Sequence, residues 1–281
     1  MPEKRSVIKN DLSIVIVNHN DRNRLKTCLS ALQTGDLGRK LEIIVVDNAS
    51  TDGSPKMIHH EFPEIRLIEN SDNQGFGKAN NQGIRTSRGK YILLINADAV
   101  ISLESLRVLV RELESHQDWG AAAPALIGED GRCQVSFGDS RTFSAELANK
   151  IWMNRRYRRQ IEETQDNRQY RWLSAACLLI RKEALDDIGL FDEGFFLYFE
   201  DIDLCFRLND RGWKTVLIPK VTAFHKGGSS TEKLKEEARS QYRRSQLYFY
   251  KKHNPGPSRF LLSLYHRVCS LMNKLRQPQP K

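Results

Sequence analysis

Four short runs of aliphatic and β-branched residues recur along the first third of the chain: LSIVIVN (12–18), LEIIVVD (41–47), IRLIEN (65–70) and KYILLIN (90–96). Their composition predicts strands, the first of them central in a sheet. The segments between them carry a different period. DRNRLKTCLSALQT spaces Leu25, Cys28, Leu29 and Leu32 for one face of a helix, with Asp21 as the expected N-cap. SPKMIHHEF reads as a second helix after the turn residues NASTDGS, and GFGKANNQGIRTS as a loop running into a third. Strands alternating with helices at this pace predict an α/β fold with a mostly parallel, doubly wound sheet. Ligands of such sheets sit beyond the carboxyl ends of the strands. Asn18-His19-Asn20, Asp47-Asn48 and Asn96-Ala97-Asp98 all fall there.

The pattern then loosens. SLESLRVLVRELESH is an amphipathic helix, and residues 128–172 hold Gly/Asp turns followed by the basic-aromatic NKIWMNRRYRRQIEE. WLSAACLLIRKEALDDIG resumes with a strand and a short helix. FFLYFEDIDLCFRLNDRG is a loop entering a helix that ends near Gly212, WKTVLIP is a strand, AFHKGGSS a loop, and the remainder helical. No internal repeat or low-complexity tract interrupts the chain.

Composition narrows the class. With 40% hydrophobic and 28% charged residues among 281, this is a globular chain. No apolar run reaches the ~18–20 residues that span a bilayer. The opening MPEKRSVIKND is charged and lacks the apolar centre of a signal peptide. Five cysteines at 28, 133, 177, 205 and 269 lack paired spacing, which argues against disulfides or zinc and for a reducing cytoplasm. The net charge of +9 is unevenly held: from Ala238 onward there are ten Lys/Arg and no Asp/Glu, whereas the preceding residues hold 34 basic against 35 acidic. The basic excess therefore belongs to the C-terminal segment, whose expected partner is anionic.

Two acidic clusters could carry chemistry. Asp98, ending a buried strand with no cation beside it in sequence, is placed to bind a divalent cation through oxygen, with Asn96 as a neutral helper. The alternative is a carboxylate capping the helix that follows. In Glu200-Asp201-Ile202-Asp203, crowding among aromatics should raise carboxyl pKa values, which suits a general base. Asp203 and Arg207, four apart, also fit a plain helical salt bridge. His225 precedes Lys226, two glycines and two serines, a stretch able to approach a phosphate or, through neutral imidazole, a metal. NQGFGK (73–78) lacks the third glycine of a dinucleotide fingerprint.

Taken in order, SIVIVNHN, LEIIVVDNASTDGS, NQGFGKANNQGI, YILLINADAV, LSAACLLIRKEALDDIGLFDEGFFLYFEDIDLCFRL and AFHKGGSS resemble glycosyltransferase family 2, most closely its rhamnosyltransferase-like branch. The resemblance covers roughly residues 11–231. It implies a glycosyltransferase-A fold, a nucleotide-diphosphate-sugar donor, a divalent cation (Mn2+ or Mg2+) and inversion at the anomeric carbon. Carried over by position, Asp47 matches the acid that binds the donor base, with Val17 and His19 lining the same pocket. His19 stands where the family usually has an aromatic residue. Gly77, Asn80 and Asn81 match the donor-binding segment, and Asn96-Ala97-Asp98 takes the place of the Asp-x-Asp motif, making Asp98 the metal ligand. Asp201 matches the general base and His225 the later histidine at the metal or diphosphate. Glu200, Asp203 and Lys226 are candidates for acceptor contact or support. The expected organisation is a basic tail (1–10), a catalytic domain (11–231) divided into nucleotide-sugar (11–127) and acceptor (128–231) halves, and a basic helical extension (232–281).

RFLLSLYHRVCSLMNKLRQ places Phe260, Leu261, Leu264, Tyr265, Val268, Leu271, Met272 and Leu275 on one helical face, with basic residues around much of the rest. That is the pattern of a helix in a membrane interface, and equally of one packed on the domain or on a homodimer partner. Attraction to anionic lipid would bring the enzyme to the inner face of the plasma membrane and to a glycan or polyprenyl-diphosphate-linked acceptor. RRYRR (155–159) could add to that surface or contact an acceptor diphosphate; the plainer reading is a solvated basic face. A nucleic-acid-binding protein is the contrasting class, but the chain has no base-stacking or helix-turn-helix motif, so no nucleic acid is expected.

Overall fold

The structure is a computed structural model that describes residues 12–33, 37, 41–139, 166–227, 232–254, 256 and 262. The tail 1–10, RRYRR, Gly228, Ser229, Ser230 and the apolar face between Phe260 and Leu275 lie outside these residues. In chain order the described elements are β1 (Leu12–Asn18), α1 (Arg22–Gln33), β2 (Leu41–Asp47), α2 (Ser54–Glu61), β3 (Arg66–Glu69), α3 (Phe76–Thr86), β4 (Tyr91–Asn96), β5 (Ala99–Ile101) and α4 (Leu103–Ser115). They continue with β6 (Trp119–Ile127), β7 (Phe137–Gly138), β8 (Arg168–Gln169), β9 (Trp172–Leu173), β10 (Cys177–Arg181), α5 (Lys182–Ile188), α6 (Glu200–Asp210), β11 (Lys214–His225) and α7 (Glu232–His253).

The expected strand–helix alternation forms one half of the sheet, with β3, β2, β1 and β4 side by side and parallel. Register then aligns the polar ends: Asn18 lies opposite Asp47, and Val17 opposite Asn96. Side chains alternate across β1. Leu12, Ile14 and Ile16 pack toward Leu25 and Leu29 of α1 and Leu106 and Leu109 of α4, while Val15 faces Ile84 of α3 on the other side. All of these except Ile84 are 0% exposed, and burial of each such side chain contributes about 1.5–3 kcal/mol. Gly83 lets α3 approach this closely, since a Cβ there would lie 2.4 Å from Val15 Cγ1.

Beyond β4 the sheet is mixed. β10 enters antiparallel between β4 and β6, pairing Cys177 with Ile95 and Leu179 with Ala122. Its leading residues therefore meet the carboxyl end of β4, where the Asn96 N–H donates to the Ala176 carbonyl at 3.0 Å. β11 pairs parallel with β6, and a register shift between Ile218 and Thr222 carries it on to β5, with His225 opposite Ala99. AFH is thus the end of a strand, not the start of a loop, and β5 returns His225 to within one residue of Asp98.

Asp21 stands at the N-cap position of α1, its carbonyl accepting the Leu25 N–H at 2.9 Å; its carboxylate pairs with Arg24 at 3.0 Å, and the Arg22 N–H donates to Asp52 at 2.8 Å. One further expectation is corrected. Asp98 does not cap α4, because β5 intervenes and Ser102 Oγ accepts the Ser105 N–H at 3.0 Å.

Candidate active site

Two clefts open at the carboxyl edge of the sheet and meet over Phe76, Asn96 and Leu197. The first, about 300 Å³, is lined among others by Val17, His19, Asn48, Ala97, Asp98 and Phe196. The second, about 350 Å³, is lined by Ser174, Trp172, Tyr198, Glu200, Asp201, Tyr242 and His225 among others. Strand ends and the β4–β5 turn build the first; the start of α6 and the run into β10 build the second.

At the junction Asp98 lies under a ring of backbone and imidazole contacts. Its Oδ1 is 3.4 Å from His225 Nε2, its Oδ2 accepts the Gly227 N–H at 3.2 Å, and its carbonyl accepts the Lys226 N–H at 3.1 Å. Burial works to raise the Asp98 carboxyl, but the hydrogen bond and charge of His225, with Arg24 further away, hold it below the usual value. Asn96 Nδ2 is 3.4 Å from the same imidazole nitrogen, and Asn96 Oδ1 is buried without a hydrogen-bond partner among the described residues. A carboxylate, an imidazole nitrogen and an orphaned amide oxygen at one point are a donor set that fits a divalent cation. The set is incomplete on its own: among the described residues no three His, Cys, Asp or Glu side chains gather as metal ligands.

The second cleft is built on strained backbone. Tyr198 and Phe199 both take left-handed conformations, φ 69° and 68°, at a cost of about 1–3 kcal/mol each. This bend starts α6 abruptly and turns Glu200 and Asp201 toward the cleft. Asp201 accepts the Ala175 N–H at 3.1 Å and the Ile202 N–H at 2.8 Å. Glu200 is 4% exposed, and its Oε2 has no hydrogen-bond partner among the described residues. Burial raises both carboxyls, Glu200 further because the Asp201 charge adds to it. Asp201 has more N–H groups to stabilise its anion than Glu200, which has its own backbone N–H, so a proton shared by the pair rests on Glu200.

Asp203 makes the helical salt bridge that its spacing to Arg207 predicts, and its pKa moves opposite to that of Glu200 and Asp201. Its side chain is wholly buried among basic side chains: Arg207 at 2.8 Å, Lys252 at 2.8 Å and His253 at 2.7 Å. Burial opposes ionisation, but the His253 hydrogen bond and the Arg207 and Lys252 charges bring its pKa down to about 2. The folded value lies below the ordinary 3.8, so the stabilisation is fully present above about pH 4 and is lost as pH falls toward 2. In urea unfolding, Asp203→Asn is expected to cost about 2 kcal/mol at pH 6, with the gap to wild type closing on acidification. A gap that stays constant down to pH 2 would contradict this assignment. α7 completes the clamp, since Ser245 Oγ donates to the Leu197 carbonyl at 2.7 Å and Lys252 pairs with Asp192 at 2.6 Å. Phe249 and Tyr250 of α7, with Leu262, pack against Phe195, Phe199 and Phe206.

Val17, His19, Asn96, Ala97, Asp98, Glu200, Asp201 and His225 thus reach the clefts; the other expected site residues do not line either one. Asp47 is 2% exposed and spent on the turn below, accepting from Asn18 at 2.9 Å and the Ser50 N–H at 2.8 Å. Asn48, one residue on, lines the first cleft instead. Asn81 ties α3 to the segment before α6 through the Phe191 backbone and Glu193, and Asn80 donates to the Phe76 carbonyl. A Cβ at Gly77 would sit 3.3 Å from Phe191 Cβ, so this glycine serves the same packing. The Lys226 amine turns away to Glu129 at 2.7 Å. Phe196, an aromatic 39% exposed at the first cleft, was not singled out in the sequence because it stands among several aromatics there.

The sequence matches glycosyl transferase family 2 over residues 13–189, a span that stops short of Asp201 and His225. It is 27% identical over 240 residues to the N-acetylglucosaminyl-diphospho-decaprenol L-rhamnosyltransferase of Mycobacterium tuberculosis, covering 78% of this chain and 77% of the relative. It is 24% identical over 221 residues to rhamnosyltransferase WbbL of Escherichia coli K12, covering 75% and 82% respectively. Among solved structures, the Pyrobaculum calidifontis mannosyltransferase in complex with GDP-Man and Mn2+ superposes with a TM-score of 0.58 at 17% identity, over 88% of this chain and 64% of that one. The fold is the glycosyltransferase-A fold.

Proposed function

From the premise that this chain belongs to glycosyl transferase family 2, we propose that it moves a rhamnose or similar sugar, with inversion, from a nucleoside-diphosphate donor to a hydroxyl of a lipid-linked glycan. The observation that carries this reading is the meeting of two clefts at Asn96, one ending on Asp98, the other on Asp201, with His225 on the second cleft's wall beside Asp98.

The donor's nucleoside lies along Val17, His19 and Asn48, and its diphosphate reaches Asp98. Asp98, His225 and Asn96 Oδ1 would hold a divalent cation there, which supplies positive charge to offset the charge growing on the departing diphosphate. The acceptor hydroxyl enters the second cleft beside Asp201. Its oxygen attacks the anomeric carbon from the face opposite the leaving group, its proton passes to the Asp201 carboxylate, and the bond to the phosphate oxygen breaks. A single displacement needs only one carboxylate base and inverts the centre. Glu200, holding its proton, leaves Asp201 as the ionised member of the pair.

The M. tuberculosis relative is named for a sugar-diphospho-decaprenol substrate, which supports a polyprenyl-diphosphate-linked acceptor here. Among the described residues no helix is long and apolar enough to cross a membrane. The acidic-free sequence from Ala238 onward instead gives the chain a means of meeting anionic lipid at the surface where such an acceptor resides. Calorimetric titration with dTDP-, UDP- and GDP-sugars, with and without Mn2+, tests the donor assignment. Binding of one nucleotide class that strengthens with Mn2+ is expected, and no binding by any of them would contradict it.

A further inference from the structure

His225 shows one ring nitrogen to Asp98 and Asn96 and the other to Gln134, a residue on no motif. Gln134 makes two contacts with this one histidine. Its Nε2 lies 2.7 Å from the His225 carbonyl oxygen, and its Oε1 lies 2.8 Å from His225 Nδ1. A carbonyl oxygen can only accept, so the first contact fixes which way the amide points. The amide oxygen facing the ring can also only accept, so the hydrogen at that contact belongs to Nδ1. While the ring is protonated, Nε2–H is the hydrogen that faces Asp98; in the neutral imidazole, with hydrogen kept on Nδ1, the lone pair lies on Nε2, the nitrogen 3.4 Å from both Asp98 Oδ1 and Asn96 Nδ2.

The chain builds a local device to put Gln134 there. After β6 it turns back at Gly128–Gly131, with the Gly128 N–H donating to the Arg132 carbonyl at 2.9 Å and Gly131 at φ 72°. The Gln134 N–H then donates to the Leu126 carbonyl at 2.8 Å, and Ile127 bridges to Cys133. A Cβ on Gly128 would come within 3.1 Å of Gln134 Nε2, so glycine leaves the amide its space. Both contacts of Gln134 thus depend on a hairpin anchored to the strand beside the one that carries His225.

We propose that Gln134 is a positioning residue that locks His225 in the Nδ1–H tautomer, so that Nε2 stands beside Asp98 as the nitrogen donor for a divalent cation. A histidine that ligates a metal through one nitrogen is oriented by the hydrogen bond its other nitrogen donates, and loss of such a partner costs about 10–100-fold in metal affinity. The inference rests on the reading of Asp98 and His225 as the cation site.

Nitrogen-15 NMR of the His225 ring in the metal-free full chain tests the lock directly. At a pH where the ring is neutral, wild type is expected to show hydrogen on Nδ1 and a lone pair on Nε2. Gln134→Leu should lose that preference, whereas Gln134→Glu, which keeps an acceptor at the ring, should retain the hydrogen on Nδ1. Mn2+ is then titrated in the presence of dTDP, UDP and GDP in turn, read by paramagnetic broadening of the His225 signals. Gln134→Leu should need about 10–100-fold more Mn2+ than wild type. Hydrogen on Nε2 alone in wild type, or the same tautomer in Gln134→Leu, overturns the lock while leaving the cation reading standing. A locked ring whose signals no Mn2+–nucleotide mixture broadens shows that the cation reading itself has failed, and overturns the role assigned to the lock.

Discussion

Asp201→Asn is expected to lower kcat by about 10²–10⁴-fold, the contribution of a positioned general base, while leaving sugar-nucleotide affinity essentially unchanged. The separation follows from geometry. Asp201 lines the second cleft and not the first, and its held contacts are the Ala175 and Ile202 N–H groups, with no part in the Asp98–His225 junction. Asparagine matches the shape and keeps an oxygen for one of those two donors, which reach different oxygens of Asp201, but it cannot take a proton. The pH profile supplies a second readout. Burial raises the Asp201 carboxyl, and activity requires its ionised form, so the wild-type rate should fall on the acid side at a pH above the ordinary carboxylate range. Asp201→Asn should lose that limb. Near-normal turnover of the variant would refute the base assignment.

Asp98→Ala is expected to weaken Mn2+-dependent donor binding by more than the ~10–100-fold that loss of an outer-shell partner costs, because the carboxylate beside His225 and Asn96 is removed. Donor binding without Mn2+ should change far less. The pairing of Asp98 with a neutral Asn96 sharpens this expectation. One carboxylate, one imidazole and one amide oxygen give little negative charge, so the diphosphate must supply the rest of the ligands. Cation affinity in the absence of nucleotide should therefore be low in wild type. Calorimetry of Mn2+ alone, then with nucleotide, measures both statements, and tight binding of Mn2+ by Asp98→Ala would contradict them.

The sequence made the first half of the sheet legible because its strands are β-branched runs set between helices of clear period. It hid β6 because WGAAAPALI looks like no strand: alanine and proline have low β propensity. The structure gives the reason. Ala122 faces the layer of α1 and α4 while Ala121 and Ala123 face that of α3 and α6, so small side chains suit a strand covered on both faces. Pro124 falls where β10, paired only at Ala121 and Ala122, no longer needs its N–H. β5 and the end of β11 were hidden because three-residue pairings leave almost no pattern, yet they bring His225 to Asp98. Asp98, Asp201 and His225, which the sequence singled out, all reach the clefts, from the β4–β5 turn, the first turn of α6 and the end of β11. Asp47, Gly77, Asn80 and Asn81 line neither cleft, their polar or small side chains meeting turns and packing, and Gln134 carried no sequence signal because its partner lies 91 residues away.

The stereochemistry of the product tests the central claim most directly. Incubating the enzyme with the sugar nucleotide that binds and with a short-chain polyprenyl-diphosphate-linked N-acetylglucosamine, then reading the anomeric configuration of the new glycoside by NMR, requires no assumption about which residue acts. Two clefts that meet at one point, with a single base on the acceptor side, predict a configuration opposite to that of the donor. Retention of the donor's configuration would contradict the account.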